Sequence, residues 1–400
     1  MTKRGKAALA LLACTVAVAE VAARLHDRLR DRVVAWVVTA DTVAGLPVEL
    51  SGLAIGNRGP DDVRLESFTY DWQGASHVVS VEQVVHAGAQ TNLDTFIGSI
   101  PPESEPGRHP ISFHDFRLSR ADGSTSRWLP TLGALQVGVQ IVAGPGPDDG
   151  YRPLELAALT CGSVPDLPVR REKSPEEWTA AEVDALRGTL KASSACLAYA
   201  EQASLADSIS IPWLEPVSYE PVRAGRRVDV VRWLTVAGLV EEASGRNAAA
   251  FRRFGEAAIL GLRLISGSSD SHSGDWTLAA AFQHRAIQRW THLADASDDW
   301  TRAGDPWALI ASARGAVAAL GDFQAQEAAG LDRWISWPFR GADYDPWISL
   351  RFPTMERAWL RELMLTNQAT ADRQVMKQLD ETRSLLDRLE ASLRHPVPVT

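Results

Sequence analysis

The heptapeptide Gly144-Pro145-Gly146-Pro147-Asp148-Asp149-Gly150 interrupts every hydrophobic periodicity in the chain. Neither helix nor strand continues through glycine and proline at that density, so the residues on either side must build separate cores. Before it, apolar residues recur with period two, and beyond about residue 174 they recur at helical spacing. A phosphate cradle would also use glycines, but Pro145 and Pro147 lack the backbone N–H donors a cradle needs, and a linker over 144–173 is the better reading. The 400 residues, 45% hydrophobic and 23% charged, supply material for about two or three folding units.

Residues 32–143 read as short strands. Val33-Val34-Ala35-Trp36-Val37-Val38 is β-rich, and Phe68, Tyr70 and Trp72 alternate with polar residues as one buried strand face requires. Further strands are predicted over Val78 to Val85, Leu93 to Ile100, Ile111 to Leu118 and Leu135 to Val142, with Asp122-Gly123 as a hairpin turn. Roughly seven strands at this spacing favour a two-sheet sandwich. Ala44-Gly45-Leu46-Pro47-Val48-Glu49-Leu50 resembles the opening strands of Ig-like modules. The resemblance, which extends to uncharacterised bacterial envelope proteins, implies an all-β Ig-like sandwich over 32–143.

Residues 174–400 read as an all-α domain of helical hairpins. Ser174-Pro175-Glu176-Glu177 places an N-cap, a first-turn proline and a capping-box glutamate in order, and Thr179-Ala180-Ala181-Glu182 repeats the box five residues on. Helical spacing then runs near 180–206, 228–243, 247–265, 276–294, 306–320 and 322–335. Leu234, Ala237, Gly238, Gly245, Ala250, Phe254 and Ala257 fall at tetratricopeptide spacing, so that residues 231–264 resemble one such helical hairpin. The resemblance implies two helices drawn together by small residues with the Phe between them. In the last helix Val375, Leu379, Thr382, Leu386, Leu389 and Leu393 form a coiled-coil-like seam, which either docks on its own domain or pairs two copies.

The first 31 residues read as an address. Lys3, Arg4 and Lys6 precede an apolar run from Ala7 to Ala19, the order of a secretory signal. Ala17-Val18-Ala19 suits cleavage, Leu11-Leu12-Ala13-Cys14 resembles a lipoprotein signal in which Cys14 would be lipidated, and Ala7 to Leu25 is near membrane-spanning length despite Glu20. All three readings put the remainder outside the cytoplasm, periplasmic or membrane-anchored. An oxidising compartment would let Cys161 and Cys196 pair, the alternative being two buried thiols.

Chemistry is sparsely signalled. A net charge of −9 with dispersed arginines excludes a non-specific nucleic-acid binder. No metalloprotease, nucleophile-elbow, phosphate-loop or calcium-loop motif is present, and no cofactor or metal is expected. Ser268-Ser269-Asp270-Ser271-His272-Ser273-Gly274-Asp275 gathers reactive groups but has the composition of a helix-linking loop. His284 and His292 lie a little over two helical turns apart, with Asp295 three residues after the second; that is too far for both imidazoles to bind one ion, and the histidines read as satisfied surface or interhelical side chains. The candidate ligand surface is aromatic: Trp334, Trp337, Phe339, Asp343, Tyr344, Asp345 and Trp347, with Phe352 and Trp359 nearby. The bland reading, and the favoured one, is an irregular segment pinned onto the helical core by its rings. Together these features predict an exported, non-catalytic component that binds an envelope protein partner. The alternative is an extracytoplasmic hydrolase or carbohydrate-binding protein whose site draws on Asp343, Asp345 and His272.

Overall fold

Alternation fixes the core of the N-terminal half. Strand β4 (Val63–Trp72) turns Phe68, Tyr70 and Trp72 inward, and β7 (Gly107–Arg120) sets Ile111, Phe113, Phe116 and Leu118 beside them, with Phe68 and Phe116 stacked at 5.5 Å. The structure, a computed structural model, describes residues 33–39, 41–120, 125–128, 135–162, 164, 175–212, 220–267, 273–296, 300, 304–320 and 354–394. The chain divides into two compact units, Met1–Ala143 and Gly144–Thr400.

In the first unit β1 (Val33–Thr39), β3 (Leu50–Asn57) and β6 (Gln90–Asn92) form a three-stranded sheet in the order β1-β3-β6. A larger sheet runs β2 (Thr42–Val43), β9 (Leu135–Val142), β7, β4, β5 (Ala75–Val85), with β8 (Thr125–Trp128) also pairing β7. Both sheets close over one apolar core.

The expected Ig-like sandwich is corrected here: the strands are mixed and the sheets curl into a half-barrel. Two features produce this. Thr42 and Val43 pair in parallel with Ile141 and Val142, placing one short strand from the start of the unit beside its last. Bulges then bend the long strands. Asp115 (φ 51°) and Glu82 (φ 55°) sit at positive φ where the ladders of β7 and β5 with β4 slip register. The predicted strand over Leu93 to Ile100 is also absent, because Asp94–Ile97 is a short helix, α1. Leu93 and Ile100 are buried at either end, and Asn92 holds the start by accepting from the Thr95 hydroxyl at its carbonyl (3.2 Å). The signal or anchor segment expected over 1–31, with Cys14, lies outside the described residues. Among the described residues no helix is long and apolar enough to cross a membrane.

The second unit is helical: α2 (Tyr151–Thr160), a 3₁₀ turn (Pro175–Glu177), α3 (Ala180–Ala192), α4 (Ser194–Leu205), α5 (Glu220–Ala243), α6 (Asn247–Gly267), α7 (Ser273–Ala296), α8 (Pro306–Ala318) and α9 (Thr354–Arg394). The capping box forms at Thr179 and Glu182, each side chain reaching the other's backbone, so α3 starts one turn after the Ser174-Pro175 signal. Within the stretch read as a linker, α2 packs on α4 and α5.

Helix α6 packs against α5, α7, α4 and α8 and has almost no solvent face. Two glycines set how close its neighbours come. A Cβ on Gly238 of α5 would lie 2.7 Å from the Phe254 ring of α6, and one on Gly255 of α6 would lie 2.9 Å from Trp290 of α7. The α5–α6 hairpin, Glu220 to Gly267, is longer than the roughly 34-residue tetratricopeptide unit. Along α9 the seam residues Val375, Leu379, Thr382, Leu386, Leu389 and Leu393 are buried within this unit, where α9 packs on α7 and α8.

Because real Cβ atoms do not approach an aromatic ring so closely, Gly238→Ala must push α5 off α6. We expect it to lower unfolding free energy by about 1–3 kcal/mol, and Phe254→Leu in the same chain to recover part of that loss. Urea unfolding of the four members of this cycle measures both.

Candidate functional site

Three of the clusters of ionisable side chains among the described residues bear on chemistry, and each is completed by packing between segments distant in sequence.

The first lies on the outer face of the six-stranded sheet. The bulge at Asp115 leaves His114 pointing outward while Phe113 and Phe116 both stay buried. His114 Nε2 then lies 3.1 Å from Asp71 Oδ2 and its Nδ1 3.1 Å from Asp115 Oδ2, and the Ser76 hydroxyl donates to Asp71 Oδ1 (2.6 Å). Burial disfavours the charged imidazole, but the hydrogen bonds and charges of Asp71 and Asp115 outweigh it and raise the His114 pKa above the ordinary value. The Ser76 hydrogen bond, followed by that of His114, lowers Asp71. A serine, a histidine and two aspartates therefore meet without forming a nucleophilic relay. Ser76 bonds to carboxylate rather than imidazole, and both ring nitrogens are engaged.

The second joins the 3₁₀ turn, α5 and α7. Arg289 makes a forked pair with the deeply buried carboxylate of Glu242 and lies 3.7 Å from Glu176. The ligand atoms of Glu176, Glu242 and His292 all fall within 4.8 Å of one another, a spacing a metal ion could use. The guanidinium already neutralises Glu242 through both oxygens, so an incoming cation would meet a positive charge in the same space. The arrangement is that of an interhelical ion pair with an exposed histidine at its rim.

The third ties α4 to α6. Glu256, fully buried, accepts from Arg252 (2.8 Å) and Arg253 (2.7 Å), and both arginines also reach Glu201. Nearby, Arg263 donates to the Ser204 carbonyl of α4 and the Ser312 hydroxyl of α8, both at 2.7 Å. On the other side of α4, Cys196 is joined by a disulfide to Cys161 at the end of α2. The same helix is held by the buried pair of Glu155 with Arg227, and the Trp233 indole donates to the Gly162 carbonyl (3.0 Å).

Of the side chains singled out from sequence, His284 lies 3.3 Å from Glu381, and Asp295 accepts from Arg388 and Ser392, so both connect α7 to α9. The aromatic candidates Trp334, Trp337, Phe339, Asp343, Tyr344, Asp345 and Trp347 lie outside the described residues, as does His272. Sequence reasoning missed Glu242 with Arg289, which lie 47 residues apart on different helices, and the convergence of Asp71 with His114, which follows only from strand register. No family model, curated protein or solved structure matches the chain.

Two measurements follow. Glu242→Gln takes the forked carboxylate from a partly buried guanidinium and leaves it Glu176 at 3.7 Å, and we expect it to cost about 1–2 kcal/mol in urea unfolding, with Arg289→Met in the same chain recovering part of the loss. For His114 the raised pKa means that its contribution is complete below about pH 6.5 and is lost as pH rises through the folded value. The depressed Asp71 contributes above about pH 4, and that contribution is lost as pH falls through its folded value. The pair therefore stabilises the sheet between those limits, by less than about 1 kcal/mol because its carboxylates are half exposed. In an NMR titration, Asp71→Asn should bring the His114 pKa down.

Proposed function

We propose that this chain is an exported, non-catalytic binding component, a framework that presents surfaces to a protein partner in the cell envelope. One observation carries the reading: charged side chains buried in the helical unit serve to join one helix to another. Glu155 with Arg227 fastens α2 to α5, Glu256 with Arg252 and Arg253 fastens α6 to α4 through Glu201, and Glu242 with Arg289 fastens α5 to α7. Charges committed to such pairs are held in place by their partners, which suits a frame better than a proton-transfer site.

Export is supported by the Cys161–Cys196 bond, since disulfides persist in oxidising compartments and are rare in reducing ones. The bond closes a loop of 35 residues, for which chain-entropy arguments give about 3–4 kcal/mol of stabilisation. The basic residues and apolar run at the N-terminus point the same way.

The test is to isolate the full chain from the envelope fraction in gentle detergent, with alkylating agent present from lysis. We expect Cys161 and Cys196 to escape alkylation until a reductant is added, Cys161→Ser to lose about 3 kcal/mol of stability, and one other protein to be retained in fixed proportion. Free thiols on isolation would overturn export. Turnover of a defined substrate, abolished at a named side chain, would overturn the non-catalytic reading.

A further inference from the structure

Strand β5 is the outer edge of the six-stranded sheet, with β4 on its inner side. The β4–β5 hairpin turns at Gln73 and Gly74, both at positive φ (53° and 75°), a two-residue turn of the I′ kind that matches the twist of its strands. Such a turn makes Trp72 and Ala75 a hydrogen-bonded pair, and the ladder alternates from there through Tyr70 with His77 and Phe68 with Val79. The N–H and C=O groups of Ser76, Val78 and Ser80 therefore point away from β4, toward the open edge. Among the described residues none of these backbone groups has a hydrogen-bond partner.

The side chains divide just as cleanly. His77 stacks on Tyr70 at 4.7 Å, Val79 packs against the core and Val81 is buried. Ser76, Val78 and Ser80 face solvent. Val78 is 73% exposed, more than any other large hydrophobic side chain among the described residues.

Edge strands are ordinarily protected by lysine, proline, an inward charge or a bulge. From Ala75 to Val81 this edge has no proline and no acidic or basic side chain other than His77. Its protection begins only at Glu82, where the positive φ bulges the strand and the side chain pairs with Arg64.

We propose that this edge pairs with the same edge of a second copy of the chain, antiparallel and two-fold symmetric about Val78. The segment Ala75-Ser76-His77-Val78-Val79-Ser80-Val81 is self-complementary in that register. Val78 meets its own counterpart, and Ser76 meets Ser80 of the second copy, in hydrogen-bonded pairs that use the outward backbone groups. Ala75 faces Val81 and His77 faces Val79 in the pairs between. No like charges oppose one another, hydroxyl meets hydroxyl and β-branched meets β-branched, which are favourable cross-strand pairs. A strand carrying fixed charges would find none to match along these seven residues, and that absence of charge favours a second copy over a charged partner segment. The bulge at Glu82 ends the pairing at one side and the hairpin turn at the other. An interface this short belongs to the weak class, so the dimer forms only at high concentration. The proposal does not depend on export or on an envelope partner.

Sedimentation equilibrium of the full chain, from about 10 to 500 μM, reads the association directly. We expect a monomer–dimer equilibrium that weakens at least tenfold in Val78→Lys and persists in Val78→Thr, which keeps a β-branched side chain. The spectroscopic melting curve of Val78→Lys should match the parent closely, since Val78 is 73% exposed and lies outside the core. Val78→Cys should cross-link into a covalent dimer under mild oxidation, because hydrogen-bonded antiparallel partners bring their Cα atoms to about 5.5 Å, within disulfide reach. Val84→Cys, beyond the bulge, should not. A chain that stays monomeric throughout the range would overturn the proposal. So would a dimer indifferent to Val78→Lys, or a different protein bound to the edge and released by that substitution.

Discussion

A helix can lose its solvent face only where its neighbours come close enough to exclude water along its length, and the helical unit depends on α6 meeting that condition. Leucine-sized contacts would hold the axes of α5, α6 and α7 too far apart for the aromatic rings between them to fill the gap without voids. Gly238 removes the side chain opposite Phe254, and Gly255 removes the one opposite Trp290, so each ring lies directly on backbone. Phe251, beside them, meets Trp290 edge-on at 5.5 Å and Trp300 at 6.5 Å, which extends the same packed layer.

A buried helix with arginines and a glutamate on it pays a desolvation cost that apolar residues would avoid. Arg252, Arg253 and Arg263 of α6 recover it by pairing outward to Glu201 and Ser204 of α4 and to Ser312 of α8, and Glu256 by accepting from Arg252 and Arg253 on its own helix. Apolar packing is tolerant of sliding, whereas a forked or doubly bonded guanidinium is not. The charges therefore fix which turn of α6 faces which turn of its neighbours, while glycine and aromatic contacts fix how close they lie. The disulfide between α2 and α4 acts on the same helix, α4, that carries the partner of those arginines.

Much of this was readable from residue order. Phe68, Tyr70 and Trp72 announce a strand face, and the α9 seam is buried at every predicted position, with Thr382 satisfied by Gln283 at 3.2 Å. Even the β7 bulge leaves a trace, since Ile111 and Phe113 share one parity and Phe116 and Leu118 the other, while all four are buried. What escaped was set by distant partners. Two residues, Thr42 and Val43, are too short a run to advertise a strand, yet their parallel pairing with Ile141 and Val142 helps replace a sandwich by a curled sheet. Leu93 to Ile100 has strand composition, but Asp94 and Thr95 bond locally to Asn92 and turn it into helix. The three ionic clusters were invisible for the same reason, because each draws on segments that only the finished packing brings together.

A curled sheet that stops short of closure has two edges, and here they are unequal. Beyond β9 the outermost strand, β2, is only two residues long. At β5 the edge is eleven residues long and straight until Glu82. The bulges responsible for curvature thus have a second effect. At Asp115, in an interior strand, the bulge turns His114 outward between two carboxylates, and pairing with β4 resumes from Leu65 with Leu118. At Glu82, on the edge itself, the same distortion marks where regular pairing can no longer extend, dividing the strand into an open stretch and a protected one.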